Sequence, residues 1–211
     1  MANTRNAGTD AIAGQVTGVI LAGGKARRMG GVDKGLVAIN GRPMVSYVID
    51  ALRPQVSTLL INANRSHERY GEFGLPVIAD DDRDFRGPLA GFISGMGAAQ
   101  TPYIAVAPCD SPLLCTDLVQ RLYSAMHEAG TRIAVAHDGA RLQPVFVLLE
   151  CALRDDLAGH LADGGRKIDQ WYATHGFAVA DCSDVPESFL NINAPADQQL
   201  LEDMLAQRGT A

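Results

Sequence analysis

Seven short apolar runs alternate with longer segments of helical period along this 211-residue chain, at 16–22, 57–63, 75–79, 103–107, 132–137, 144–149 and 177–181. Helical spacing occupies 43–52, 89–99, 116–129, 151–161, 166–174 and 196–207. Strands alternating with helices bury their apolar faces best in an α/β sandwich built on a largely parallel sheet. Pro43 suits a first helical turn and Gly130 a C-terminal stop. The Asp138-Gly139 pair between two apolar runs predicts a hairpin, and with it an antiparallel strand in the sheet. The length fits one domain over 16–207, with a mobile N-terminal tail at 1–15 and a short C-terminal tail at 208–211.

Polar residues sit where four of these runs stop. VILA runs into Gly23-Gly24, LLIN ends at Asn62, PVIA ends at Asp80, and IAVAPC ends at Asp110. If the strands are parallel, all four features share one edge of the sheet, the edge where open α/β sheets bind ligands. Any one of them is ordinary turn chemistry. Their convergence is what predicts a site.

The chemistry of that site is written in VILAGGKARRMGGVDKG, Val19 to Gly35. Between Gly24 and Lys34, four cations (Lys25, Arg27, Arg28, Lys34) face one acid (Asp33), in a chain of net charge -6. The local reversal of sign predicts a polyanion, and the glycines allow backbone N–H groups to approach it. The spacing is not that of a P-loop, because Gly24-Lys25 is followed by Ala26, and the dinucleotide fingerprint GxGxxG is absent. Lys34 is the leading phosphate ligand, with a local pair to Asp33 as the competing reading.

Asp110, after a buried strand and before two prolines, suits a hard cation such as magnesium, which binds through one or two carboxylates plus substrate phosphates. The alternative is a turn or helix-capping aspartate. Asp80 opens an acidic cluster and is its only member next to a strand. RGPLAG places glycines, Gly91 among them, on both sides of a helix start, where free N–H groups can meet a base or a phosphate. Asn191 and Asn193 in FLNINAP share a face if that piece is extended. Arg166 and Lys167 open another helix and either bind a second anion or simply solubilise it.

Composition narrows the function further. An acidic balance argues against general nucleic-acid or anionic-membrane binding. Four scattered cysteines without a CxxC pair argue against zinc and for a reduced, cytoplasmic setting. No stretch approaches the length of a membrane span or a signal peptide. The five histidines have no metal-like spacing, and no GxSxG elbow or activated cysteine is present, which disfavours covalent catalysis. The absence of heptads or an exposed apolar stripe predicts a monomer.

Taken together, LAGGKARRMGGVDKG, LLINAN, VIADD, GPLAG, APCDSP and FLNINAP closely resemble the bacterial molybdenum cofactor guanylyltransferase family over residues 16–207. The resemblance implies a Rossmann-like three-layer sandwich of the nucleotide-diphospho-sugar transferase type. It implies transfer of GMP from GTP to molybdenum-molybdopterin, with Mg²⁺ and release of pyrophosphate. Catalytic roles fall on Lys34 and Asp110, with Asp110 as the metal ligand. Substrate contacts fall on Leu21, Ala22, Gly23, Gly24, Lys34, Asn62, Asp80, Gly91 and Asp110, and on Asn191 and Asn193 toward the pterin. Transient contacts with molybdenum insertion proteins and molybdoenzyme chaperones follow from the lability of the cofactor. The chain departs from the wider nucleotidyltransferase pattern at Ala26, where a hydroxyl residue is frequent, and at Asn193, where relatives acting on sugars often carry a second metal aspartate. A cytidylyltransferase, a sugar-phosphate nucleotidyltransferase and a non-catalytic GTP or pterin carrier are the alternatives.

Overall fold

The computed structural model describes residues 12–23, 33–80, 87–191, 201, 204 and 205. Its central strand, β1 (Val16–Leu21), is buried along nearly its whole length. Val16 and Ile20 pack into the core on one face of the sheet and Val19 into the core on the other. Burial on both faces is what a run of apolar, β-branched residues achieves in the middle of a parallel sheet.

On one side β1 pairs in parallel with β4 (Thr58–Asn62), which pairs in parallel with β5 (Val77–Ile78). On the other side it pairs in parallel with β6 (Tyr103–Pro108). Beyond lie β7 (Ile133–His137), β8 (Leu142–Glu150) and β9 (Ala178–Asp181), giving the order β5-β4-β1-β6-β8-β7-β9 among the described residues. β8 is antiparallel to both of its neighbours, as the Asp138-Gly139 signal predicts. The Asp138 carboxylate accepts from the N–H groups of Arg141 and Ala140, which holds it below the ordinary carboxylate range and closes the turn.

Helices α1 (Met44–Leu52) and α4 (Leu118–Ala129) pack on one face through Val45, Val48, Leu122 and Met126. Helices α3 (Pro88–Ala98), α5 (Arg154–Ala162) and α6 (Ile168–His175) pack on the other through Leu89, Phe92, Leu157 and Trp171. The result is a three-layer sandwich with a mostly parallel sheet. Buried Gln55 joins two elements of the first face: its amide donates to the Ala51 and Cys115 carbonyls, and its oxygen accepts from Val119 N–H at the start of α4.

Several boundaries differ from the sequence expectations. Pro43 lies outside α1, extended at φ -55 and ψ 136, because it pairs in a small hairpin of β2 (Ala38–Ile39) and β3 (Arg42–Pro43). Residues 151–153 form a 3-10 turn before α5, and α6 starts at Ile168 because Arg166 is used to close the preceding turn. The short helix α2 (His67–Gly71) was not expected. Ile12, within the segment expected as a tail, packs against the core. Of the predicted C-terminal helix, residues 201, 204 and 205 are described and are helical. Gly130 ends α4 in the left-handed region, φ 61, as expected. No helix among the described residues is long and apolar enough to cross a membrane.

Candidate active site at the carboxyl edge of the sheet

Strand register lines up the carboxyl ends. Leu21 is opposite Asn62 on one side and Pro108 on the other, and Asn62 is opposite Ile78. Gly23, Asn64, Asp80 and Asp110 therefore each lie two residues beyond one aligned row. The ladder continues past the strands: Ala22 N–H donates to Asn62 O at 2.8 Å, Ala63 N–H to Ile78 O at 2.8 Å, and Cys109 N–H to Leu21 O at 3.0 Å. These bonds make the four chain segments leave the sheet side by side. From β5 to β6 there are three inter-strand steps, so Asp80 and Asp110 mark the ends of a row about 14 Å long.

At the β6 end, Lys34 donates to Asp110 Oδ2 at 3.2 Å. Its side chain is 28% exposed and that of Asp110 14%, so the pair is shielded from bulk water on most sides. Lys34 begins a 3-10 turn, Lys34–Leu36, seated on a close-packed floor. A Cβ at Gly35 would lie 2.9 Å from Tyr70 Oη and 3.1 Å from Cys109 Sγ. Only glycine allows this approach. Burial pushes the Cys109 thiol well up, so it stays protonated and serves as packing. Burial likewise raises Cys151 to about 11 and Cys182 to about 12, and raises Cys115. None of the four, all of them free, is an activated nucleophile.

At the β5 end, Asp80 is held by two amides. Asn62 Nδ2 donates to Oδ1 at 2.9 Å and Asn64 Nδ2 to Oδ2 at 2.7 Å, while Asn64 Oδ1 accepts from Asp80 N–H at 2.8 Å. Asn62 is only 2% exposed. The first turn of α3 closes over it: a Cβ at Gly91 would lie 2.6 Å from Asn62 Oδ1 and 2.7 Å from Leu21 Cδ2. Pro88 at the first helical position needs no amide partner, and Gly87 precedes it at φ 80.

The structure thus brings Leu21, Ala22, Gly23, Lys34, Asn62, Asp80, Gly91 and Asp110 to one edge. It adds Asn191, which accepts at 2.6 Å from the Oγ of buried Ser111, the residue that follows Asp110. Gly24 and Asn193, like Lys25, Arg27 and Arg28, fall outside the described residues. Arg166 donates to the carbonyls of Leu161 and Gly165, closing the end of α5, and Lys167 stands at the N-cap position of α6 without a side-chain capping bond. Asn64 escaped the sequence reading, although its spacing of two from Asn62 repeats the Asn191 and Asn193 pattern that drew notice.

An α/β sheet whose parallel strands end in glycine, amide and carboxylate groups, with a lysine on the last carboxylate, is of the nucleotide-handling class. Comparison with known proteins places the chain within that class. Residues 18–177 match the model of the MobA-like NTP transferase domain, and the chain belongs to this family of nucleotidyltransferases. A protein of Shewanella loihica named molybdenum cofactor guanylyltransferase is 52% identical over 192 residues, covering 91% of this chain and 98% of that protein. Among solved structures, molybdopterin-guanine dinucleotide biosynthesis protein A from Archaeoglobus fulgidus has a TM-score of 0.76 at 20% identity, over 90% of this chain and 99% of that one. CMP:2-keto-3-deoxy-manno-octonic acid synthetase, complexed with CTP, has a TM-score of 0.73 at 12% identity, over 92% of this chain and 99% of that one. These two show likeness of fold. Nucleotidyltransferases of this type generally use a divalent metal.

Proposed function

We propose that this chain transfers GMP from GTP to molybdenum-bearing molybdopterin, forming the guanine dinucleotide cofactor and releasing pyrophosphate. One observation carries the reading onto this chain's own geometry: Lys34 and Asp110 pair beside the glycine-ended β1, in a sequence 52% identical to a guanylyltransferase along nearly its whole length. GTP lies along the edge, with its triphosphate at Gly23, Gly24, Lys34 and Asp110. Its nucleoside lies toward Leu21, Ala22, Asn62, Asp80 and Gly91. Asn191 lies toward the incoming pterin, and Asn193, outside the described residues, is assigned to the pterin on its sequence motif alone.

The donor set suits Mg²⁺. No group of three His, Cys, Asp or Glu residues poised for a metal occurs among the described residues. Among the described residues, Asp110 is the carboxylate that pairs with Lys34 at the triphosphate end, and magnesium typically takes its remaining ligands from phosphates and water. Asp110 would hold the ion, which when bound supplies neutralisation of charge on the triphosphate oxygens.

The chain's own residues do the rest by positioning. The attacking group is a phosphate monoester oxygen of the pterin, so no nucleophilic side chain is needed, in keeping with the four protonated thiols. Attack on the α-phosphorus is in line. Lys34, anchored on Asp110, presents a fixed cation that offsets charge as pyrophosphate leaves, and the half-buried setting strengthens that interaction relative to water. Asn62 and Asn64 fix both oxygens of Asp80, so the carboxylate presents its remaining lone pairs in one orientation.

Pyrophosphate release measured with molybdenum-loaded molybdopterin and each of GTP, CTP and ATP tests the reading. Release is expected with GTP and at background with the others. A preference for CTP would make the chain a cytidylyltransferase, and GTP binding without any release would make it a carrier.

A further inference from the structure

The sequence offers Lys34 a partner next door, Asp33, and a lysine beside an aspartate ordinarily pairs with whatever carboxylate is nearest. The structure shows a different division. Asp33 is turned inward, with only 7% of its side chain exposed. Its Oδ1 accepts from Arg65 Nη2 at 2.9 Å and its Oδ2 from Ser66 Oγ at 2.5 Å. Both partners come from the turn between β4 and α2, which also supplies Asn64 to Asp80, while Asn62 reaches Asp80 from the end of β4. Lys34 reaches instead across to Asp110.

Ser66 adopts a backbone conformation that is uncommon for this residue type. It lies in the left-handed region, φ 52, and although it stands at the N-cap position of α2 its side chain makes no capping bond there. The hydroxyl goes to Asp33. A left-handed serine that forgoes its cap, an arginine and a buried carboxylate all converge on the residue before Lys34. On the other side of Lys34, Gly35 is pressed against Tyr70 and Cys109. The backbone of Lys34 is therefore fixed on both flanks, so its long side chain begins from one defined point.

We propose that Asp33 is a positioning residue: held by Arg65 and Ser66, its carboxylate fixes the backbone from which Lys34 reaches Asp110 and the triphosphate. The inference rests on the reading of Lys34 as a nucleotide ligand. It also makes the segment 62–66 a shared frame for both ends of the site, through Asp80 at one and Lys34 at the other.

A double-mutant cycle separates positioning from general support. Affinity for a fluorescent GTP analogue and pyrophosphate release are measured for Asp33→Asn, for Lys34→Ala and for the double variant, with urea unfolding of each. If Asp33 acts through Lys34, Asp33→Asn weakens nucleotide binding about tenfold in the native background and less than about twofold once Lys34 is alanine, a coupling typical of residues in one network. Equal fold losses in both backgrounds, or no loss in the native one, overturn the inference while leaving Lys34 as a ligand. A Lys34→Ala protein that binds and turns over as the native one overturns the reading of Lys34 itself. Ser66→Ala, which keeps the Arg65 bond, provides the same cycle if Asp33→Asn fails to fold. It is expected to show a smaller loss, again abolished by Lys34→Ala, and a Ser66→Ala loss that persists there overturns the inference.

Discussion

At the scale of single residues, the site depends on where side chains are absent as much as on where they are present. Gly35 lets the turn that carries Lys34 sit directly on Tyr70 and Cys109. Gly35→Ala places a methyl 2.9 Å from Tyr70 Oη, and a buried tyrosine ring has little room to give. Overpacking of this kind costs about 1–3 kcal/mol. Urea unfolding is expected to show that loss, and a nucleotide titration is expected to show weaker GTP binding as Lys34 is lifted from Asp110. Unchanged binding in a folded variant would mean that the position of Lys34 does not depend on this floor. Tyr70 Oη has no hydrogen-bond partner among the described residues, which fits a ring retained for its shape and packing.

At the scale of elements, the edge of the sheet organises the site and α3 closes it. Gly91 brings the first turn of α3 onto Asn62 and Leu21, so Gly91→Ala is expected to push the helix away from β1 and β4. The predicted result is a loss of about 1–3 kcal/mol in urea unfolding together with a raised KM for GTP and a smaller change in kcat. A raised melting temperature with native kinetics would show that the contact is not tight. Much of this edge was legible in the sequence, because period-two and apolar runs mark strands and polar residues mark where they stop. The Asp138-Gly139 hairpin and the stop at Gly130 were legible for the same reason: each requires a turn residue that the sequence displays. The β2 and β3 hairpin was not, despite Asn40-Gly41 at φ 48 and 75, since strands of two residues carry no readable period. The clamp on Asp33 was invisible because its partners lie 32 and 33 residues away. Sequence proximity instead pointed Asp33 at Lys34. Arg166 shows the converse: a cation that looked free to bind an anion closes a helix end.

At the scale of the whole molecule, a buried parallel sheet between two helical layers supplies a rigid row about 14 Å long, with one carboxylate at each end and glycine between. Such a frame suits catalysis by orientation and charge compensation, which demands precise placement and no covalent intermediate. The central claim is that this row binds GTP and directs attack to its α-phosphorus, with Asp110 at the reacting end. It is tested most directly by following label from GTP carrying a radioactive α- or γ-phosphate into molybdenum-loaded molybdopterin. The α-label is predicted to enter the pterin product and the γ-label to leave in pyrophosphate. Asp110→Ala should reduce transfer about a hundredfold or more while leaving the unfolding curve in place. Entry of γ-label into the pterin product, or undiminished transfer by Asp110→Ala, would contradict the account.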